Sequence, residues 1–133
     1  MEAELSGKIS EKLRSELGGR ADASPAAARR RTESPVAYQD YLKGRYHWNK
    51  LTAGGLQRSV DYFQQALQKD PDFALAHAGL ADSYCMQGFF ELVLPAEAMP
   101  KAKQSAMRAL EIDGDLAEAY ASLANVLKVY DRD

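Results

Sequence analysis

Helical apolar stripes separated by short polar breaks are the dominant signal in this chain. Between Ser59 and Tyr84, Val60, Phe63, Ala66 and Leu67 fall at i, i+3, i+6 and i+7, one face of a helix. Asp70-Pro71-Asp72 interrupts the stripe, because proline has no N–H to continue a helix and restricts the residue before it. A second stripe follows at Leu75, Ala76, Leu80, Ala81 and Tyr84, with Ala78 and Gly79 among its small residues. Small residues at that density let two helices approach closely, so the stretch predicts an antiparallel helical hairpin.

The hairpin recurs. A shift of 43 residues places Ala66-Leu67 on Ala109-Leu110, Asp70 on Asp113, Ala76 on Ala119 and Leu80 on Leu123. A backward shift of 38 residues places Leu42 on Leu80 and Tyr46 on Tyr84. Two registers compete in that first copy: Leu42 on Leu80, or a set shifted by one with Gly44 as the small packing residue. Self-similarity at such a period marks a helical repeat, and these stripes predict an all-α fold.

FQQALQKDPDF and HAGLADSY resemble the tetratricopeptide repeat family, with its phenylalanine, alanine and closing proline in the first and its leucine, small residue and tyrosine in the second. The family period is about 34 residues, and the excess here falls at Asn49–Leu56 and Phe89–Ala96. The resemblance implies an α-solenoid of about two and a half repeats, at residues 35–73, 74–116 and a truncated 117–133. YLKGRYHWN resembles the first repeat that follows a TolB-like domain in bacterial regulators, and GKISEKLRSEL resembles the last helix of that domain. Gly114 stands where the family has proline.

Ahead of the repeats, Leu5, Ile9, Leu13 and Leu17 recur every four residues. They predict an amphipathic helix over residues 1–19, too narrow in its stripe to be stable alone. Residues 20–34 read as a linker, short of large apolar groups. Ser34-Pro35 reads as an N-cap and first helical residue, with a helix to about Asn49. Thr52-Ala53-Gly54-Gly55 reads as the turn into the central hairpin, and the apolar run from Phe89 to Leu94 as a connector covering the hairpin's edge. Pro100 predicts a bent or late start to its helix, and Asp115 with Glu118 a capping box for the last one. That last helix carries the stripe Leu116, Ala119, Tyr120, Leu123, Leu127 and Tyr130 with no partner helix after it. The pattern predicts a fragment of a longer array, with part of this stripe exposed or paired with another copy.

Composition narrows the function classes. The chain has 133 residues, 46% hydrophobic and 27% charged, with a net charge of −2. No global field collects nucleic acid or anionic membrane. Arg29-Arg30-Arg31 is a basic cluster without interleaved aromatic residues, which reads as solvated linker rather than a nucleic-acid contact. The single cysteine, Cys85, leaves no intramolecular disulfide and suits a reducing, cytoplasmic setting. No apolar run reaches the ~20 residues of a membrane span.

Catalytic chemistry finds no constellation. His77 and Cys85 lie eight residues apart on one predicted helix, roughly 12 Å by helical rise and too far for a nucleophile–base pair. His47, His77 and Cys85 have no metal-ligand spacing. The reading is a non-enzymatic protein-interaction module without cofactor or metal. By resemblance, the first helix of each repeat lines a concave groove for a protein or peptide segment. Its wall would carry Asp40, His47 and Trp48 in the first repeat, then Ala78, Asp82, Cys85 and Met86 in the second. Ala121, Asn125 and Lys128 would follow in the third. The alternative is a regulatory or self-association arm of a transcriptional regulator or kinase, acting through Leu116–Tyr130.

Overall fold

The computed structural model describes residues 32–130. The N-terminal helix expected over residues 1–19 and nearly all of the linker lie outside them. Five helices follow one another: α1 (Pro35–Asn49), α2 (Ala53–Lys69), α3 (Ala74–Phe89), α4 (Pro95–Ile112) and α5 (Ala117–Tyr130). The described residues are all-α.

Local chemistry sets the boundaries. Ser34 Oγ accepts the Ala37 N–H at 3.1 Å, and Pro35, whose missing donor costs nothing there, opens α1. Thr52 Oγ1 accepts the Gly55 N–H at 2.9 Å and caps α2. The glycines therefore belong to the first turn of α2 rather than to a turn before it. Gly55 is required there, because a Cβ would lie 2.7 Å from the His47 carbonyl oxygen.

The 43-residue period holds at the level of single hydrogen bonds. The Asp70 N–H donates to the Ala66 carbonyl at 2.9 Å, and the Asp113 N–H to the Ala109 carbonyl at 2.9 Å. Phe73 receives the N–H groups of Ala76 and His77 at 3.0 and 3.3 Å; Leu116 receives those of Ala119 and Tyr120 at 3.1 and 3.3 Å. Gly114 thus performs the turn that Pro71 performs one period earlier. α5 starts on the buried Leu116, as α3 starts on the buried Phe73. The expected Asp115 cap gives way to this arrangement, in which the Asp115 N–H bonds the Asp113 carboxylate at 3.1 Å.

α4 runs unbroken from Pro95, with Pro100 inside it. Its start is not delayed, because Pro95 at the first position supplies a proline-compatible opening. The connector ahead of it also departs from expectation. Phe89, Phe90 and Leu92 are each close to half exposed and Leu94 is 67% exposed, so the run stands out from the edge instead of covering it. Glu91 adopts the left-handed conformation at φ 58°, while the Leu92 and Val93 N–H groups both reach the Gln87 carbonyl. That cap directs the apolar side chains outward.

Packing pairs α1 with α2 and α3 with α4. α3 also packs on both α1 and α2, and α5 on both α3 and α4. Three helices, α1, α3 and α5, consequently stand side by side. The core gathers Tyr41, Phe63, Phe73, Leu75 and Leu116 at their junction. A second cluster joins Ala81, Ala106, Tyr120 and Leu123 across α3, α4 and α5. The stripe of α5 is therefore mostly covered: Leu116, Ala119, Tyr120 and Leu123 are buried, with Leu127 half-buried. Within the described part of the stripe, the exposure expected for this helix narrows to Leu127, because α5 lies against α3 and α4 together and spends most of its apolar face on them.

Candidate partner-binding face

Phe63 decides how α1 meets its neighbours. Its ring is fully buried between two glycines, and a Cβ on Gly44 would lie 2.6 Å from it, one on Gly79 2.5 Å. Gly44 is thus the small packing residue of α1. The face that meets α2 is turned by one residue from the Leu42-on-Leu80 register. Leu42 and Tyr46 are 46% and 63% exposed, whereas Tyr41 is buried. The working offset is 37 residues, placing Tyr41 on Ala78, Gly44 on Ala81 and Arg45 on Asp82.

Arg45 is the residue that sequence reading missed. Its Nε donates to Tyr41 Oη at 3.2 Å, and its Nη1 to the Asp82 carboxylate of α3 at 2.9 Å. The guanidinium also lies 5.6 Å from the ring centres of Tyr41 and Phe63 and 5.7 Å from that of Trp48. Burial works against its charge, but Tyr41 and Asp82 outweigh the burial and hold its pKa above the ordinary value. Asp82 in turn accepts from Ser122 Oγ of α5 at 2.6 Å. A line of polar contacts, Arg45–Asp82–Ser122, therefore ties the three side-by-side helices together. The helical spacing of Arg45 from Tyr41 and Trp48 was readable, but its partner 37 residues away was not.

The expected groove residues divide by burial. Asp40 is buried and ion-paired to Lys69 of α2, on the internal face of the first pair. Ala78 is fully buried, its carbonyl receiving Ser122 Oγ at 3.2 Å. Cys85 is buried with Met99, Ala102 and Val126. These three are packing residues, a correction that follows from how closely α5 and α2 approach their neighbours. His47 is half-buried and stacks on Tyr62, with ring centres 5.5 Å apart and planes 5° apart. It faces α2 rather than α3. Trp48, Met86 and Ala121 are half-buried, while Asn125 and Lys128 are exposed. Asp82 keeps a little exposure beside Arg45.

Among the described residues, the indole Nε1 of Trp48 and Nδ1 of His47 are buried without a hydrogen-bond partner. Desolvation, followed by Lys50 and Arg58, lowers the pKa of His47. Burial, with a smaller push from Asp82, raises the Cys85 thiol to about 11, which removes its nucleophilic form at neutral pH. No group of three or more His, Cys, Asp or Glu side chains among the described residues is placed to hold a metal ion. None of the described helices is long and apolar enough to cross a membrane.

Over 90 residues the chain is 26% identical to the transcriptional regulator HilA of Salmonella typhimurium, a match taking in 68% of this chain. HilA of Salmonella typhi gives the same identity over the same length. The chain spans only 16% of the length of these relatives. No family model matches the chain, and no solved structure matches it.

Proposed function

We propose that this chain is a non-enzymatic interaction module of tetratricopeptide type, part of a bacterial regulatory protein, which holds a partner's peptide segment against α1, α3 and α5. The observation that carries the reading is the side-by-side placement of these helices, joined through Arg45, Asp82 and Ser122. Trp48 and Met86 supply apolar anchors on that side, while Asn125 and Lys128 supply polar ones. The similarity to a transcriptional regulator supports a regulatory setting. The reading needs neither nucleic acid nor membrane as a direct ligand.

Panning a phage-displayed random peptide library on the purified chain tests this. The expected result is enriched peptides whose affinity falls at least tenfold on Trp48→Ala or Met86→Ala, with each variant's helicity checked by circular dichroism. Failure to enrich any peptide, or binding indifferent to both substitutions, overturns it.

The second reading is a self-association arm of a transcriptional regulator or kinase, which the HilA similarity also supports. Sedimentation velocity over a hundredfold range of concentration separates the two. A dimer abolished by Leu127→Lys favours the arm, and a monomer throughout favours the groove.

A further inference from the structure

One helix face occurs three times in this fold, and it is covered twice. On α3 it carries Phe73, Gly79 and Ser83, all buried. The helix that covers it is α2, which precedes α3 in the chain. A Cβ on Gly79 would lie 2.5 Å from the Phe63 ring, and Ser83 Oγ lies 2.8 Å from Ser59 Oγ. On α5 the same positions, 43 residues on, are Leu116, Ser122 and Val126, again all buried. Val126 packs with Met99 and Ala102 of α4, the helix preceding α5, and with Cys85 of α3, while Ser122 Oγ donates to the Ala78 carbonyl and the Asp82 carboxylate of α3. On α1 the corresponding positions, 37 residues back from α3, are Val36, Leu42 and Tyr46. They are 54%, 46% and 63% exposed.

We propose that this α1 face is the docking site for the chain's own segment from Leu5 to Leu17. In α3 the occupant is the preceding helix, and in α5 the preceding helix shares the face with α3, so in both the cover comes from chain that lies earlier in the sequence. Ahead of α1 the stretch with an apolar stripe is this segment, joined to it through the linker. Its apolar residues Leu5, Ile9, Leu13 and Leu17 form one stripe at helical spacing, which has to be buried against something to be stable. The link has the reach. Residues 18–31 reach at most ~50 Å, against roughly 22 Å for the length of α1 at helical rise, so the segment can return antiparallel to α1. Leu42 and Tyr46 are larger than their counterparts Gly79 and Ser83. The face on α1 is therefore bulkier than the one on α3 and offers side-chain ends rather than a close backbone approach.

Oxidative cross-linking of the full chain tests the proposal, with Cys85 left in place because it is buried. Leu13→Cys is combined with Leu42→Cys or, as the distant control, with Asn125→Cys. Ile9→Cys with Tyr46→Cys covers an offset in register. The expected result is an intramolecular disulfide to position 42 or 46 that forms at least tenfold faster than the control, at a rate independent of protein concentration. A second measurement uses Ile9→Asp with Leu13→Asp, which is expected to lower the thermal midpoint by several degrees. Equal cross-linking rates with an unchanged midpoint overturn the proposal. A concentration-dependent dimeric cross-link also overturns it, assigning the face to a second copy instead.

Discussion

His77 and Tyr120, one period apart, reach back across the same turn to the same carbonyl. His77 Nε2 lies 2.9 Å from the Pro71 carbonyl oxygen, and Tyr120 Oη donates to that of Gly114 at 2.8 Å. An imidazole and a phenol are interchangeable here because each presents one N–H or O–H at about the same distance from the backbone. His77→Ala should cost about 1 kcal/mol, the net worth of one hydrogen bond. His77→Tyr should retain most of that stability. Urea unfolding of the three proteins measures it, and an alanine variant as stable as the parent would show the bond to be idle.

The wedge formed by Phe63 gives a sharper outcome. Gly79→Ala places a methyl group 2.5 Å from a fully buried ring, which has nowhere to move because Gly44 lies on its other side. Overpacking of this kind costs about 1–3 kcal/mol. Combining Gly79→Ala with Phe63→Leu should cost less than the sum of the single changes. A double-mutant cycle by chemical denaturation checks this, and strict additivity would rule out the steric account.

Arg45 and Asp82 are unequal partners under mutation. Removing Asp82 strands a guanidinium beneath three aromatic rings, whereas Arg45→Met removes the charge and keeps the stem's packing. Asp82→Ala should therefore destabilise more than Arg45→Met, by about 1–2 kcal/mol. Arg45→Lys should not restore the parent, because the forked contact to both Tyr41 and Asp82 needs a guanidinium. Comparative thermal and urea melts decide the order.

Acidification should weaken the fold through both histidines. Desolvation is the first cause of the lowered pKa at His47 and at His77, with nearby cations adding to it; the Pro71 contact opposes it at His77. A depressed histidine pKa means the unfolded chain takes up its proton first, near 6.5, while the folded chain resists. The stability is thus complete above pH 6.5 and is lost as the pH falls through the folded-state values. The drop in urea midpoint between pH 7.5 and pH 5.5 should shrink in the His47→Gln, His77→Gln double variant. An undiminished drop would assign the acid sensitivity to carboxylates alone.

Cys85 should be a silent thiol in the native state. A thiol pKa of about 11, against an ordinary 9.0, leaves roughly a hundredfold less thiolate at pH 8, before burial restricts access. Iodoacetamide labelling should be at least a hundredfold slower in buffer than in concentrated urea. Rapid native labelling would mean that α3 and α4 open around this position.

Much of the architecture was legible because helical periodicity is a local property. The stripe from Val60 to Leu67, the break at Pro71 and the Ser34-Pro35 cap each depend on residues within a turn or two of one another. The 43-residue period reported the repeated turn so well that the hydrogen bonds at Asp70 and Asp113 match in length. The candidate face was less legible. Trp48, Met86, Asn125 and Lys128 keep accessible surface, but Asp40, Ala78 and Cys85 do not. Burial of those three depends on neighbours on other helices, such as Lys69 for Asp40, Ser122 for Ala78 and Met99 for Cys85.

By itself, the sequence determined that this protein is a series of paired helices, that the first opens at Ser34-Pro35, and that the same turn is made twice. Those are consequences of proline, capping hydroxyls and apolar spacing acting over a few residues. The tertiary structure alone decided which side of α1 turns inward. Tyr38, Tyr41, Leu42, Tyr46 and Trp48 point around most of that helix, so no apolar stripe singles out one face. The choice fell to a steric fact with no local signature: the Phe63 ring fits only where both Gly44 and Gly79 leave room for it.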